Sequence, residues 1–346
     1  MTESDDIMTK VILSSIISKD NKDAGPKAKN DIEEFLTEKG YEKINLEISR
    51  NKLAKLMFSF YGINKLFKGK DYEEIVFQYP IYSIFLTQRF IKAIRKYTKA
   101  KLIFVIHDVE AIRGYLDDQK FYKNELDIFN STDGLIVHNE KMQKWLLDNG
   151  VKVPMVQLGI FDYINPNPIV KSTKFDRSLC FAGNLIHEKA GFMDKLTWKH
   201  TKLDAFGPNP SEKYPQCVNY QGVYPSEELP AHMNENFGLI WDGQSVDACT
   251  GTYGEYSKYN APHKTSLYLS SGMPVIVWEQ AAVAGFVEKF QVGITVNSLT
   301  ELDNILADMT DDDYAKLKSN AEKISKKVRS GNFIYQAMQE MESILG

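Results

Sequence analysis

The sequence predicts an α/β protein with two doubly wound domains that face a central cleft. First, its 346 residues are more than one ordinary hydrophobic core accommodates, so two domains are expected. Second, short apolar runs alternate with segments of helical period, which is typical of parallel sheets covered on both faces. Third, residues 161–178 are rich in Pro, Asn and Ser and are typical of a linker between two such sets.

The first predicted domain covers residues 1–165 and contains five apolar strands. The helix after its second strand has an apolar side at Phe85, Phe90, Ile91 and Ile94. The strands are KVILSS (10–15), EEIVFQYP (73–80), KLIFVIHD (101–108), GLIVHN (134–139) and VPMVQLG (153–159).

The second predicted domain covers residues 175–320, and a helical tail, 321–346, follows it. In doubly wound sheets, ligands bind beyond the carboxyl ends of the strands, near the point where the strand order reverses. The residues that follow each strand are therefore the first candidates for a site. The strands are SLCFAGN (178–184), KLDAFG (202–207), NYQGVY (219–224), FGLIWDG (237–243), PVIVWE (274–279) and VGITVN (292–297).

Composition excludes several classes of protein. A net charge of −4 argues against a nucleic-acid partner, and the 43% of apolar residues is typical of a globular protein. The three cysteines form no CxxC pair, so a structural zinc site is not expected. The acidic start MTESDDIMTK is unlike a signal peptide, and no uncharged apolar run approaches the ~18 residues of a membrane span. We therefore expect a cytoplasmic protein with at most peripheral membrane association.

The stretch YNAPHKTSLYLSSGMPVIVW (259–278) predicts an anion site at the start of a helix. Pro262 near the first helical position, with Asn260 or Ser257 as a cap, predicts a helix that begins around residue 262. Free backbone N–H groups and the helix dipole favour a phosphate there. Lys264 opposes the dipole, which a bound diphosphate would explain, although it could also be an ordinary solvated lysine.

Two glycine-containing turns follow predicted strands, DAGPKA (23–28) and FAGN (181–184). Glycine lets a ligand approach the backbone closely, although each stretch could equally be a plain turn between a strand and a helix. Neither is a GxGxxG sequence, and no acidic residue is spaced to hold a ribose. These features disfavour a nicotinamide-dependent dehydrogenase.

His107 and Asp108 end the clearest strand of the first half, at the edge where a cleft is expected. An attacking sugar hydroxyl must lose a proton, and Asp, Glu or His can accept it. Asp108 and His107 are therefore the candidate catalytic residues, ahead of Glu110. An Asp at a strand end can instead cap the next helix. His138 and Asn139 occupy the same edge after the next strand, on the expected acceptor side.

A long polar loop, residues 241–260, precedes the helix at residue 262, and loops of this length are usually functional. Its acidic residues Asp242 and Asp247 could pair with Lys258, contact sugar hydroxyls or bind Mg²⁺. Its tyrosines could stack on a base or a sugar, or pack at a surface. They are Tyr253, Tyr256 and Tyr259.

FAGNL, GLIWDG and YNAPHKTSLYLSSGMPVIV together resemble bacterial GT-B glycosyltransferases, which have two Rossmann-like domains. They look closest to the third glucosyltransferases of serine-rich adhesin glycosylation, a group similar to β-1,6-galactofuranosyltransferases. The resemblance implies a UDP-hexose donor, held mainly by the second domain, and a glycan acceptor on the first. It further implies transfer without a metal or other cofactor, a C-terminal helix that returns to the first domain, and a homo-oligomer, either dimer or tetramer.

The resemblance also places individual donor-site residues. The phosphate-binding lysine of the family falls on Lys264, and the basic residue after its GN motif falls on Lys189. The position near the uracil falls on Phe206 and Gly207, and the turn after the first strand begins at Asp23. The residues expected at the donor site are Ala24, Gly25, Asn184, Lys189, Phe206, Gly207, Tyr259, Asn260, His263, Lys264 and Thr265.

Three functions remain open from the sequence. The first is transfer of glucose or a related hexose to a glycan, such as GlcNAc on a serine-rich repeat adhesin. The second is a β-1,6-galactofuranosyltransferase of exopolysaccharide synthesis. The third is a catalytically silent GT-B partner subunit of a glycosylation complex. The sequence after Glu279 reads EQAAVAGF, without the two glutamates of the largest retaining GT-B families, so the stereochemistry of transfer stays open.

Overall fold

A computed structural model describes residues 9–15, 24–46, 56–81, 83–169 and 174–346. Within these residues the chain forms two six-stranded parallel sheets, one in each half. Both sheets are covered by helices on both faces, so the α/β architecture predicted from the alternating pattern is confirmed.

The first sheet has the strand order β2-β1-β3-β4-β5-β6, and its strand order reverses between β1 and β3. Its strands are β1 (Thr9–Ser15), β2 (Glu42–Leu46), β3 (Tyr72–Tyr79), β4 (Lys101–Ile106), β5 (Gly134–Val137) and β6 (Met155–Gln157). Its helices are α1 (Ala24–Glu38), α2 (Ile63–Phe67), α3 (Ile84–Tyr97), α4 (Glu110–Gly114), α5 (Gln119–Phe129) and α6 (Glu140–Asp148), and a π-helical segment, Phe58–Gly62, precedes α2.

The second sheet has the order β12-β11-β10-β7-β8-β9, and its strand order reverses between β7 and β10. Its strands are β7 (Ser178–Ala182), β8 (Lys202–Phe206), β9 (Val218–Gly222), β10 (Phe237–Ile240), β11 (Val275–Trp278) and β12 (Gly293–Val296). The helices of this half and of the tail are α7 (His187–Ala190), α8 (Leu229–His232), α9 (Gly251–Tyr256), α10 (His263–Ser270), α11 (Ala284–Phe290), α12 (Leu299–Asp308), α13 (Asp311–Val328) and α14 (Asn332–Leu345).

Three local features differ from the sequence prediction. Strand β2 was not predicted, because its sequence EKINL is polar and mostly exposed at a sheet edge. Phe85 lies on the exposed side of α3, unlike Phe90, Ile91 and Ile94, which are buried. The predicted turn DAGPKA is mostly helix, since α1 begins at Ala24 and accommodates a proline in its first turn.

The strands of the first sheet alternate their side chains between two cores. Ile12, Val76 and Val105 belong to a core that continues into the second half. Val11, Ile75 and Phe104 belong to the core on the opposite face, beneath α3, α5 and α6. The two halves therefore share buried apolar packing in addition to the connecting segment.

The tail crosses the molecule. Helix α13 packs on α10 in the second half, and α14 packs on β5, β6 and α1 in the first. The start of α14 is held by Asp162, whose carboxylate accepts hydrogen bonds from the backbone N–H groups of Phe333 (3.2 Å) and Ile334 (2.7 Å). A side chain at Gly134 would overlap Met341, so α14 lies directly on the strand.

Candidate active site

A cleft of about 800 Å³ lies between the two halves. It lies beyond the carboxyl ends of β4, β7 and β10, and two of these strands flank the reversal point of the second sheet. The lining residues come from both halves: Glu110, Arg113, Gly114 and Tyr115 from the first, and Glu188, Gln244, Thr250, Gly251, Thr252 and Tyr253 from the second.

Lys264, in the first turn of α10, points back to the end of β10. Its Nζ lies 3.0 Å from Asp242 Oδ1, 3.4 Å from the carbonyl oxygen of Trp241 and 4.4 Å from the ring centre of Phe181. The Lys264 side chain is 9% exposed and that of Asp242 is 10% exposed, so Lys264 is not an ordinary solvated lysine. Burial lowers the pKa of Lys264, and the charge of Asp242 opposes that shift.

Lys189 also approaches this position. Its positive charge further lowers the pKa of Lys264, which places the two ammonium groups in each other's field. The Lys189 ammonium lies 5.0 Å from the ring centre of Tyr253. The backbone carbonyl oxygen of Lys189 accepts a hydrogen bond of 2.7 Å from the backbone N–H of Gly243. Two positive charges in the surroundings of a helix start favour the binding of a polyanion.

The start of α10 has no side-chain cap. Pro262 is the N-cap residue and the helix begins at His263, so the prediction that Asn260 or Ser257 caps it was wrong. Ser257 instead donates to the carbonyl oxygen of Gly254 at 2.6 Å. Proline at the N-cap leaves no oxygen to bond the first N–H groups of the helix.

Three buried polar atoms at this helix start have no hydrogen-bond partner: Asn260 Oδ1, His263 Nε2 and Thr265 Oγ1. Buried polar atoms in folded proteins are nearly always paired, so three in six residues call for a ligand. Burial lowers the pKa of His263 to about 3, and the nearby Lys27 acts in the same direction. Its imidazole is therefore neutral at pH 7, and its unpaired Nε2 can either donate or accept a hydrogen bond, depending on which ring nitrogen carries the proton.

The backbones at the ends of β7 and β8 lie close together at two glycines, Gly183 and Gly207. The backbone N–H of Gly183 donates to the carbonyl oxygen of Phe206 at 2.9 Å, and Gly207 has φ of 142°. A Cβ at Gly207 would overlap the carbonyl oxygen of Gly183. Asn184 Oδ1 accepts from the backbone N–H of Ile186 at 3.2 Å, which is the bond of a turn.

Several residues that were predicted at the donor site have other contacts in the structure. Phe206 is buried and packs near Tyr224, so its ring is not offered to a ligand. The carbonyl oxygen of Tyr259 accepts a hydrogen bond from Asn139 Nδ2 at 2.8 Å, across the two halves. Ala24 and Gly25 form the first turn of α1, and Asp23 lies outside the described residues.

The acidic residues of the loop after β10 pair differently from the prediction. Asp242 pairs with Lys264, and Lys258 pairs with Glu255 at 2.7 Å, so the expected partnership of Lys258 with Asp242 or Asp247 was wrong. The loop is also partly helical, because residues 251–256 form α9.

The candidate catalytic residues lie beside an arginine that the sequence reading missed. Arg113 contacts Asp108 and Glu110, each at 2.8 Å, and lines the cleft with Glu110. Burial raises the pKa of Asp108 while Arg113 opposes the shift. The signal for Arg113 was its spacing, since three residues after Glu110 it lies one turn further along the same helix face.

The ring of His107 stacks on that of Phe161, and the ring of His138 contacts Phe161 edge-on. His107 Nε2 lies 2.9 Å from Gln78 Oε1, and burial lowers the pKa of His107 well below its ordinary value. His138 Nδ1 accepts a hydrogen bond of 2.9 Å from the backbone N–H of Ala261, so its Nε2 carries the proton and donates to a carbonyl oxygen. His138 therefore connects the first half to the segment that precedes α10.

Two domain models of one protein family match the chain. The Glucosyltransferase 3-like N-terminal domain matches residues 10–160, and the Glucosyltransferase 3-like C-terminal domain matches residues 179–341. Together they cover both sheets and most of the tail.

Named relatives span nearly the whole chain. The β-1,6-galactofuranosyltransferase WbbI of Escherichia coli (strain K12) is 29% identical over 328 residues, which cover 92% of this chain and 94% of the relative. Glucosyltransferase 3 of Streptococcus gordonii is 26% identical over 313 residues, which cover 88% of this chain and 90% of the relative.

A solved structure shares the architecture. It is described as trehalose-6-phosphate from E. coli bound with UDP-2-fluoro glucose, and it matches with a TM-score of 0.60 and 12% identity. The match covers 96% of this chain and 98% of that one. At this identity the likeness concerns the fold alone.

Proposed function

Because the chain belongs to the Glucosyltransferase 3-like family and is a glycosyltransferase with the GT-B fold, we propose that it transfers a hexose from a UDP-sugar to a hydroxyl of a glycan acceptor. The observation that carries this proposal is the start of α10. There, the buried Lys264 pairs with Asp242, Lys189 adds a second positive charge to its surroundings, and three buried polar atoms have no hydrogen-bond partner. A diphosphate would satisfy both features, because it is a polyanion with many acceptor oxygens.

In this proposal the second half binds the donor. Lys264 and Lys189 neutralise the diphosphate, and the positive end of the α10 dipole adds to their effect. As the bond between the sugar and the diphosphate breaks, negative charge grows on the leaving group, and these fixed cations stabilise it. In this proposal His263, Asn260 and Thr265 contact the phosphates or the transferred sugar, which would give their unpaired atoms partners.

The first half supplies the acceptor side of the cleft. We keep Asp108 and His107 as the proposed catalytic residues, and Asp108 is the stronger candidate base. Burial raises the pKa of Asp108 above its ordinary value, and a higher pKa makes a carboxylate a better proton acceptor. His107 Nε2 already contacts Gln78, which leaves Nδ1 for any contact with the acceptor.

The first test of the donor site is a thermal-shift panel with the purified chain. We expect UDP and one UDP-hexose to raise the melting temperature by mass action, whereas GDP-mannose and NAD leave it unchanged. Lys264→Ala should abolish the UDP shift. Lys258→Ala is the matched control, because Lys258 lies on the same segment and pairs with a more exposed glutamate. A UDP shift that persists in Lys264→Ala would place the diphosphate elsewhere.

A galactofuranosyl donor is the second candidate, favoured by the 29% identity to the galactofuranosyltransferase. The panel therefore includes UDP-galactofuranose beside UDP-glucose, UDP-galactose and UDP-GlcNAc. Turnover with a single UDP-sugar and a GlcNAc-terminated acceptor identifies the donor.

A silent partner subunit is the third candidate. It predicts no shift with any nucleotide, together with co-purification of the chain with an active glycosyltransferase. We also propose a homodimer or homotetramer, which light scattering of the purified chain tests directly.

A further inference from the structure

The first half carries an exposed surface with an unusual composition. It is formed by the outward sides of residues 56–70 and of α3, and we call it the apolar-basic face. Its inner side is well packed, since Ile63 and Phe67 are fully buried and Phe58 lies near Phe90. The backbone under the face is therefore held in place, and its exposed side chains need a separate explanation.

Large apolar side chains cluster on this face. Tyr61 is 76% exposed and Met57 is 58% exposed, and Leu56 and Phe60 accompany them. Phe85, from the first turn of α3, extends the cluster, with its ring centre 6.4 Å from that of Phe60. Contiguous exposed patches of this kind mark interaction sites.

The charge of the face has one sign. Residues 56–70 and 84–97 contain no Asp or Glu, although the chain as a whole carries a net charge of −4. In the part of the chain that the structure describes, acidic residues are found at the margin of the face, where Asp133 pairs with Arg95 and Asp71 follows the last lysine. The basic residues of the face are Lys65, Lys68, Lys70, Arg89, Lys92, Arg95 and Lys96.

We propose that the apolar-basic face docks on the surface of an anionic lipid bilayer. Its apolar side chains would enter the boundary between headgroups and acyl chains, and its lysines and arginines would contact the anionic headgroups. A second copy of the chain is a poorer occupant. A two-fold contact would bring the same cations of both copies together and would leave their repulsion uncompensated.

The apolar-basic face lies near the acceptor side of the cleft. A small cavity of about 100 Å³ lies between them, lined by Ser83 and Ile84 at the start of α3 and by Glu110 and Tyr115 of the cleft. Docking would therefore set the acceptor side of the cleft near the plane of the membrane. A glycan attached to a lipid could reach the cleft from that plane.

The test is sedimentation of the purified full chain with vesicles. One set contains phosphatidylcholine alone and the other also contains phosphatidylglycerol. We expect the chain to sediment with the anionic vesicles only, and salt to weaken the binding. Met57→Ser/Tyr61→Ser and Lys65→Glu/Lys68→Glu should each lower the partition coefficient by about tenfold or more.

Two matched variants control for surface apolarity and net charge. Leu147→Ser/Ile344→Ser removes apolar side chains of similar exposure, and Lys326→Glu/Lys327→Glu makes the same charge change on α13. Both should bind vesicles as the unmodified chain does. The proposal is overturned if the unmodified chain stays in the supernatant, or if face and control variants bind alike. A dimer that Met57→Ser/Tyr61→Ser dissociates, without vesicle binding, would identify a subunit contact instead.

Vesicle binding is measured without nucleotide, so it can fail independently of the proposed donor. A UDP-induced thermal shift that persists in the face variants would show that they fold and that the donor site is intact. Loss of vesicle binding in those variants then reports on the face alone.

Discussion

Lys264 is the side chain on which most of the proposed chemistry depends. Its ammonium lies close to the carboxylate of Asp242 and within the field of Lys189. Burial and Lys189 lower its pKa, and Asp242 raises it. Asp242 therefore favours the charged form of Lys264 and opposes the effect of burial.

The first prediction concerns the pH dependence of UDP binding. Only protonated Lys264 attracts the diphosphate, so affinity should fall as pH rises through the lowered pKa of Lys264. Asp242→Asn removes a charge that raises this pKa, and the fall should then begin at a lower pH. Isothermal titration calorimetry from neutral to alkaline pH measures the midpoint.

Lys258→Ala is the control for this experiment, because it leaves the pair of Lys264 and Asp242 in place and should keep the unmodified midpoint. Identical midpoints for the unmodified chain and Asp242→Asn would contradict the prediction, whatever their affinities at neutral pH.

At the scale of single residues, part of the candidate site could be predicted from the sequence. Lys264 could be found because a lysine in the first turn of a helix conflicts with the dipole. The sequence could not show that Asp242 pairs with Lys264, because Lys258 is also close to Asp242 in the chain. The cap was misplaced because Asn260 and Ser257 are good capping residues by type, whereas their positions depend on how the loop folds.

Among the elements, the ends of β7 and β8 are the most constrained. Gly207 has φ of 142°, and its Cα faces the carbonyl oxygen of Gly183 with no room for a methyl group. Gly222, at the end of β9, also has a positive φ, 100°, but nothing lies within 4 Å of a Cβ built there. A substitution at Gly207 therefore meets both steric overlap and backbone strain, whereas one at Gly222 meets backbone strain alone.

The second prediction compares these two glycines. Gly207→Ala should destabilise the fold by about 3 kcal/mol or more, because strain adds to an overlap that only backbone movement can relieve. Gly222→Ala should cost about 1 kcal/mol, from strain alone. Thermal melting compares the two, and equal losses would show that overlap with Gly183 contributes nothing.

Buried strands and helices were predicted from the sequence more successfully than exposed ones. Most of the strands found from sequence are apolar runs whose two faces are both covered, although the exposed edge strand β9 was also found. β2 escaped because an edge strand with one exposed side needs few apolar residues. Helix α9 escaped because GTYGEY has two glycines, which weaken the helical signal, and its formation depends on packing against α4 and α7.

At the scale of the whole molecule, the two halves behave as one packed unit. One apolar core runs from the first sheet into the second half, and α14 returns to the first sheet after α13 has packed on the second. A hydrogen bond that His138 accepts from Ala261 and one that Asn139 donates to Tyr259 add polar contacts between the halves. Among the described residues, no helix is long and apolar enough to cross a membrane.

The third prediction is that the two halves unfold together. Calorimetry should give a single transition, because separation of the halves would expose the shared core. UDP, although proposed to contact mainly the second half, should raise the whole transition. Lys264→Ala is the control, and its transition should not move with UDP. Two resolved transitions, with only one shifted by UDP, would contradict this prediction.

The return of α14 has a consequence for synthesis on the ribosome. The face of β5 and β6 that α14 covers is made early, but its cover is the last helix of the chain. At about 5–20 residues per second, that apolar face waits on the order of ten seconds or more for its cover. We expect the nascent first half to be a chaperone client until α14 has been made, and the risk of misfolding to be set by the distance in sequence between a sheet and the helix that covers it.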